Sequence, residues 1–291
     1  DPTGITIHRI KVCRSSNSGT KLRELLLFVV RGIRTVHTII RSNPADVLHA
    51  HGLLPSSLLA LGTSATIRVV TVHGSDVPGF NLDKYRIAHI FLSPISRIMA
   101  LKMDKIICPS PIMNDLVANL APRSTRLEIP NGIELEGFPE VHQPNSRAVL
   151  VCARLEPRKR VRLLLDSIRL IDDPVILHIM GDGPERAALE EAAERLRGRH
   201  QVVFHGWVDR NSNTWRALYE SSALSVSLGS FENSPIAALE ALAAGHALVA
   251  SDIPAHRPLS ASTCLLVDSQ PQSVAAGLED FLARPMAAVL S

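Results

Sequence analysis

An alternation constrains this chain more than any other feature of it. Short β-branched runs recur from Ile5 to Val267, and almost every one is followed by residues with helical spacing. Strands separated by helices have connections long enough for parallel pairing, and the helices then cover the faces of the sheet. In the first half, Ile5 to Val12, Asp46 to Ala50, Ile67 to Val72, Lys105 to Cys108 and Arg126 to Ile129 read as strands. Leu22, Leu25, Leu26, Val29, Ile33, Val36, Ile39 and Ile40 recur at three and four, which makes 21–41 one long amphipathic helix. Further helices are expected near 55–65, 86–103 and 110–120.

From Pro130-Asn131-Gly132 through Gly137, Pro139, Pro144 and Asn145 the chain is rich in turn formers and loses its periodicity. The alternation then restarts, with strands at Ala148 to Cys152, Val175 to Met180, Val202 to His205, Leu224 to Leu228, Ala247 to Ala250 and Cys264 to Val267, and a helix after Pro271. The 291 residues suit two cores. The expected fold is α/β, with two Rossmann-like, doubly wound domains over 1–138 and 146–291 facing a cleft.

Composition narrows the class. Hydrophobic residues at 46% and charged residues at 20% exclude a disordered chain or a coiled coil. A net charge of +3 gives no case for a nucleic-acid partner. Residues 1–145 hold 16 Lys and Arg against 11 Asp and Glu, and residues 146–291 hold 15 against 17, so the first half is the basic one. Cys13, Cys108, Cys152 and Cys264 lie far apart, two of them in apolar runs, as buried thiols of a reducing, cytoplasmic setting do. The longest apolar run, Leu25 to Val30, is short and is flanked by Arg23 and Arg31, so neither a membrane span nor a signal peptide is expected.

Open parallel sheets bind ligands beyond the carboxyl ends of their strands. His51-Gly52, His73-Gly74-Ser75-Asp76, Arg154, Gly181-Asp182-Gly183-Pro184 and Gly229 to Glu232 all follow expected strands. Ser234 before Pro235 is an expected N-cap, and Gly245 an expected stop, for a helix over 235–244. Within it every residue except Glu240 is apolar. A buried carboxylate needs a partner, either the hydroxyls of a bound sugar or a buried arginine. Backbone N–H groups at Asn233 to Ile236 are a candidate anion site, with Glu232 just outside. Arg154 and Lys159, five apart at a strand end, can grip a diphosphate as a planar fork and a point charge; the alternative is a solvated basic helix start. Gly181 and Gly183 let backbone approach a ligand. His49 and His178, inside strands, read as satisfied core residues, and His51 stays open between that and a cleft position.

In order along the chain stand D-V-L-H-A-H-G at 46–52, V-T-V-H-G-S-D at 70–76, I-P-N-G-I at 129–133, R-L-E-P-R-K at 154–159, G-D-G-P at 181–184, F-E-N-S-P-I-A-A-L-E-A-L-A-A-G at 231–245 and A-S-D-I-P at 250–254. This ordered set resembles the retaining glycosyltransferases of family four, which have the two-Rossmann GT-B fold. The resemblance implies a nucleotide-sugar donor, a glycan, lipid-linked or small-molecule acceptor, and retention at the anomeric carbon. It assigns the diphosphate to Arg154 and Lys159 and the ribose hydroxyls to Glu240. The donor sugar and its phosphate fall to Glu232 with Asn233, Ser234, Pro235 and Ile236, and the transferring centre to His73 beside Gly74. It implies no metal and no cofactor, so that protein cations carry the leaving-group charge.

The chain departs from the family in four respects. It is expected to begin near the family's third strand, without the usual first strand and glycine-rich loop, and to stop after only the first of the usual closing helices. Arg160 stands where a glycine is common, and Arg257-Pro258 where a glutamate often follows. Rival expectations are a truncated, non-catalytic form that binds nucleotide or a partner protein, and a nucleotide-sugar epimerase; no G-x-G-x-x-G supports a dehydrogenase. The helix of 21–41, with Lys21, Arg23, Arg31, Arg34 and Arg41, permits peripheral docking at the inner face of an anionic membrane.

Overall fold

The computed structural model describes residues 4–12, 22–80, 82–136, 138–139, 145–260 and 263–283; Cys13 and Lys21 lie outside them. The chain divides into two compact units, Asp1–Pro130 and Asn131–Ser291.

In the first unit, helix α1 (Leu22–Ser42) leads to strand β1 (Val47–His51), a 3-10 turn (Ser56–Ala60) and β2 (Ile67–Thr71). Helix α2 (Leu82–Lys102), β3 (Lys105–Cys108), α3 (Pro111–Leu120) and β4 (Arg126–Glu128) follow. The four strands are parallel and lie in chain order, β1-β2-β3-β4. Ala50, Val70 and Ile106 are register partners and are buried, whereas Val47, His51, Ile67 and Lys105 on the opposite face are exposed. One face of this sheet is packed and the other is largely open. α3 begins as a capped helix should: the Ser110 hydroxyl accepts the Met113 N–H at 3.3 Å, and Pro111 fills the first position.

Two expectations fail here. Ile5 to Val12 forms no strand among residues 4–12; Ile5 and Ile7 are 62% and 70% exposed, and the Arg31 guanidinium holds the segment by donating to the Lys11 carbonyl at 2.6 Å. Alternation makes a residue run able to pair, but a strand exists only against a neighbour's hydrogen-bonding edge. The helix expected at 55–65 is the 3-10 turn alone, ended by Gly62 at φ +70°.

The second unit runs β5 (Asn145–Cys152), a 3-10 turn (Pro157–Lys159), α4 (Val161–Ile168), β6 (Ile176–Met180), α5 (Arg186–Glu194) and β7 (Gln201–Gly206). It continues through α6 (Asn213–Ser221), β8 (Ser222–Ser227), α7 (Ile236–Ala243), β9 (Ala247–Ser251), β10 (Cys264–Val267) and α8 (Pro271–Ala283). All six strands are parallel, in the order β10-β9-β8-β5-β6-β7. The chain builds outward from β5 through β6 to β7, then returns to lay β8 on the other side. That reversal, between β5 and β8, is the switch point of a doubly wound sheet, where a crevice opens beyond the strand ends. Leu155, Ile168, Leu177, Ile179, Val249, Val274 and Leu278, each fully buried, form the core beneath it. Phe138 also belongs to this unit, edge-on to Trp215 at 5.2 Å between ring centroids.

Candidate active site

Two loops leave the sheet at the switch point, one after β5 and one after β8. The first turns through Arg154 to Lys159, and the second through Gly229 to Asn233. They are laced together: the Ser230 N–H donates to the Arg158 carbonyl at 2.8 Å, and Lys159 Nζ pairs with Glu232 Oε1 across 73 positions of sequence. Both charged ends are largely shielded, Lys159 at 22% and Glu232 at 10% side-chain exposure. Gly229 makes room for that carboxylate, since a Cβ there would sit 2.6 Å from Glu232 Oε1. The Ser251 hydroxyl donates to the Gly229 carbonyl at 2.7 Å, and buried His256 braces Ser251 and Ser227. Burial holds the His256 pKa down, which keeps its ring a neutral strut.

Arg154 projects from the end of β5, 54% exposed, with Nε 3.1 Å from Glu156; Arg158 grips the same carboxylate at 3.1 Å. Three cations thus gather against Glu156 and Glu232, leaving an excess of positive charge. Arg160 closes the turn in the left-handed region at φ 52° and ψ 36°, the only non-glycine residue with positive φ among those described.

Gly181 and Gly183 serve the backbone. A Cβ at Gly181 would lie 1.8 Å from the Ala153 carbonyl oxygen, and one at Gly183 2.4 Å from that of Leu155. The loop after β6 is zipped onto the loop after β5 by Leu155 N–H to Asp182 at 3.0 Å and Glu185 N–H to Leu155 at 3.1 Å. The two glycines thereby fix the path on which Arg154 sits.

Helix α7 starts one residue later than expected. Pro235, at ψ 82°, is outside the helix and occupies the N-cap position with no side-chain cap, so Ser234 is not the cap. Proline has no N–H, and that of Ile236 already turns onto the Ser234 carbonyl at 3.0 Å, so the anion site expected over 233–236 is thinner than its residue count. The stop is as expected: Gly245 takes φ +83°, with Gly245 N–H to Leu242 and His246 N–H to Ala241, both 3.0 Å.

Glu240, 7% exposed, has the arginine partner left open by the sequence, but a half-exposed one. Arg210 Nε lies 3.4 Å from Oε1, and the Tyr219 hydroxyl donates to Oε2 at 3.4 Å. Burial raises the Glu240 pKa, and Arg210 followed by the Tyr219 hydrogen bond pulls it back. The Arg210 guanidinium also lies over the rings of Phe138 and Trp215, at 5.7 and 5.9 Å, beside a cavity of about 250 Å³. Sequence reading missed Arg210, since nothing in local periodicity links it to a helix thirty residues on.

In the first unit, His73 and Gly74 sit in a turn organised by Asp76. Oδ1 accepts the N–H groups of His73 and Gly74 at 3.0 and 2.7 Å, and Oδ2 accepts that of Leu53 at 2.7 Å, binding the loops after β1 and β2 together. His73 Nε2 lies 3.0 Å from His51 Nδ1, with the rings stacked at 5.2 Å. His49 stacks beneath His51 at 4.6 Å, bonds Thr71 at 2.8 Å, and has its pKa lowered by burial and then by the neighbouring imidazoles. His178 is half-buried and 3.1 Å from His205; both strand histidines are hydrogen-bonded, but His49 is exposed on the open face of its sheet and is not the core residue expected. Cys108 and Cys264 are free buried thiols and Cys152 a partly buried one, all pushed up to about 11 by burial.

Comparison with known proteins decides the family. The description "Glycosyl transferases group 1" matches residues 133–288, and "Glycosyltransferase Family 4" matches residues 8–137. The chain belongs to the group 1 glycosyl transferases. Among curated relatives, the α-monoglucosyldiacylglycerol synthase of Streptococcus pneumoniae is 24% identical over 78% of this chain and 56% of its own length. The phosphatidyl-myo-inositol mannosyltransferase of Mycolicibacterium smegmatis is 30% identical over 77% and 58%. The chain thus spans little more than half the length of these two relatives. Among solved structures, sucrose-phosphate synthase of Thermosynechococcus elongatus superposes with a TM-score of 0.76 at 19% identity, covering 97% of this chain and 75% of that one. HepE of Anabaena, solved with UDP-glucose, gives 0.72 at 16% identity over 93% and 76%. These likenesses show the fold: α/β, with GT-B relatives. No helix among the described residues is long and apolar enough to cross a membrane.

Proposed function

We propose that this glycosyl transferase moves a sugar from a nucleotide-sugar donor to an acceptor with retention of anomeric configuration. The observation that carries the reading is the meeting of Lys159 with Glu232 at the switch point of the second sheet, on the same loop as the exposed, Glu156-paired Arg154 and in the same unit as the buried carboxylate of Glu240. In this proposal Arg154 and Lys159 hold the diphosphate. Glu232 and the residues Asn233 to Ile236 meet the donor sugar and its phosphate, and Glu240 takes the ribose hydroxyls by exchanging one oxygen with Arg210. His73 and Gly74 are assigned to the donor sugar and the transferring centre. The bond between the anomeric carbon and the diphosphate oxygen breaks, the acceptor oxygen bonds to that carbon from the same face, and the acceptor's proton passes to the departing diphosphate. Cations fixed in a partly shielded site stabilise the charge that develops on the leaving group. A glycan or lipid-linked acceptor fits the names of the relatives, and the Arg-rich outer side of α1 supports a peripheral membrane contact.

The test is release of nucleoside diphosphate from a panel of UDP-, GDP- and ADP-sugars, with and without acceptor, by the chain and by Glu240→Gln and Lys159→Ala. Turnover of one donor that depends on both residues supports the proposal. A donor that binds through those residues without turnover replaces it by nucleotide binding alone, and an epimerised sugar formed without acceptor replaces it by epimerisation.

A further inference from the structure

The two long helices of the first unit present outer faces with an unusual composition. On α2, Phe91 is 76% exposed, Ile90 64%, Ile98 53%, Leu101 46% and Ile95 43%, while Ser96, Met99 and Ala100 turn inward at 1% or less. At about 100° per residue, Phe91, Ile95, Ile98 and Lys102 fall along one line opposite the buried side. This helix is apolar on both faces, a pattern that normally means burial on both. Exposed apolar residues scattered singly need no explanation, but a contiguous stripe does. On α1, Leu26 and Val30 are 58% and 50% exposed among the exposed Arg23, Arg34 and Arg41.

Among the described residues, the charge exposed on these faces has one sign. Among the described side chains of α1 and α2 the one carboxylate is Glu24, and it is 3% exposed. Arg23, Arg31, Arg34, Arg41, Arg97 and Lys102 are all exposed. Residues 1–130 hold 16 Lys and Arg against 8 Asp and Glu, whereas 131–291 hold 15 against 20. The basic character is therefore confined to the unit that carries the apolar stripe. Arginine and aromatic side chains also suit a protein partner, so the single sign of the charge, and not residue type, favours a bilayer. Apolar side chains set among cations, with no exposed anion between them, suit an anionic bilayer: the apolar groups enter between acyl chains, and Arg and Lys reach the lipid phosphates. A helix of 21 residues is about 30 Å long, enough to lie along the headgroup layer.

We propose that the outer stripe of α2, centred on Phe91, Ile95 and Ile98 and flanked by Arg97 and Lys102, docks on the surface of an anionic phospholipid bilayer. The surface deepens, and rests on, the peripheral-contact part of the proposed function; binding and turnover are measured separately, so one can fail without the other.

The full chain is sedimented with vesicles of phosphatidylcholine, with or without phosphatidylglycerol. It is expected to bind the anionic vesicles at least tenfold more tightly, with the difference falling as salt rises. Phe91→Glu/Ile95→Glu is expected to weaken binding at least tenfold with an unchanged circular dichroism spectrum, and Arg97→Glu/Lys102→Glu about tenfold with a flattened salt dependence. In Phe91→Trp, brominated acyl chains are expected to quench emission beyond the level set in the unmodified chain by Trp207 and Trp215. Vesicle binding untouched by Phe91→Glu/Ile95→Glu, or no added quenching in Phe91→Trp, overturns the proposal. So does a concentration-dependent dimer that the same double variant dissolves while vesicle binding stays, since the stripe then belongs to a second copy. Loss of donor turnover with vesicle binding intact defeats the functional reading and leaves this one standing.

Discussion

Both units lay parallel strands under helices, yet the second reverses its winding direction and covers its apolar residues, while the first winds one way and leaves many open. Of 19 exposed large apolar residues among those described, 15 fall at or before Pro130, so the difference is not one of size alone. The six-stranded sheet has a switch point, and the charged loops meet there; the four-stranded sheet runs β1-β2-β3-β4 and has none. Beyond its strand ends, the turn after β2 is organised by the Asp76 clasp under His73. In the second unit, sheet topology itself makes the place where a ligand can sit. In the first, a single carboxylate fixes a loop at the end of two strands.

If the second unit is the rigid one, its glycines should tolerate least. Gly181→Ala should cost about 3 kcal/mol or more, because the new Cβ would meet the Ala153 carbonyl and neither backbone can yield, at a φ of +138° that strains any other residue. Gly74→Ala is the counterpart in the first unit. Its Cβ would meet the Phe80 ring at 2.7 Å, a side chain that can turn, so urea unfolding should show a smaller loss. Equal losses would erase the contrast.

Lys159→Ala should lower donor turnover by about a hundredfold, on the order of 3 kcal/mol in the barrier. It should also destabilise the fold, since Glu232 is left shielded and unpaired. Lys159→Met/Glu232→Gln separates the two effects: stability should return and turnover should not. Turnover that recovers with stability would make the pair structural.

The units should also differ in acid. Burial holds buried His246 down to about 4, between the Ser225 hydroxyl and the Tyr219 carbonyl, both at 2.7 Å. Its folded pKa lies below its unfolded one, so the unfolded chain binds the extra proton between those values. The stabilising term is whole above pH 6.5 and is lost as pH falls towards 4, on the order of 3 kcal/mol on the way. His178, His200, His205 and His256, lowered by burial in the same unit, act in the same direction. In the first unit burial lowers the pKa of His49, which lies at the end of the sheet and not in its core. Hydrogen exchange followed from pH 7 to 4.5 should therefore lose protection in β5, β6 and β8 before β2 and β3; the reverse order counts against the account.

How far the sequence could be read follows the same division. Periodicity found the strands of both sheets because each buries a residue run that local pattern alone identifies, Lys105 to Cys108 to the residue. It misplaced Ile5 to Val12 because pairing depends on an edge elsewhere, and Ser234 because the cap was decided by the ψ of Pro235. The individual site residues stood out through spacing and resemblance. Their mutual arrangement did not: the Lys159–Glu232 pair, the Arg210 hold on Glu240 and the Asp76 clasp join positions that only the folded sheet brings together. Asp76 left a trace that was legible, an acidic residue three after His73 with Gly74 between, the spacing of a side chain that folds back on its own turn.

The smallest effect tests the finest part of the comparison, whether the loop after β5 is strained to aim its cations. Arg160 holds the left-handed conformation that glycine adopts freely and that costs other residues about 1–2 kcal/mol. Arg160→Gly relieves that strain but adds chain entropy to the unfolded state, about 0.5–1 kcal/mol, and removes the hydrogen bond from Arg160 to the Ser269 hydroxyl, which is exposed and of small worth. The net should be a gain of about 0.5 kcal/mol. Arg160→Ala keeps the strain and loses the bond, so it should fall slightly below the parent chain. If the turn conformation itself is what places Lys159, both variants should retain donor turnover, because the left-handed φ is kept in each. A loss of turnover in Arg160→Gly alone would mean that the rigidity of a side-chain-bearing residue, and not the turn it adopts, aims the lysine at its diphosphate.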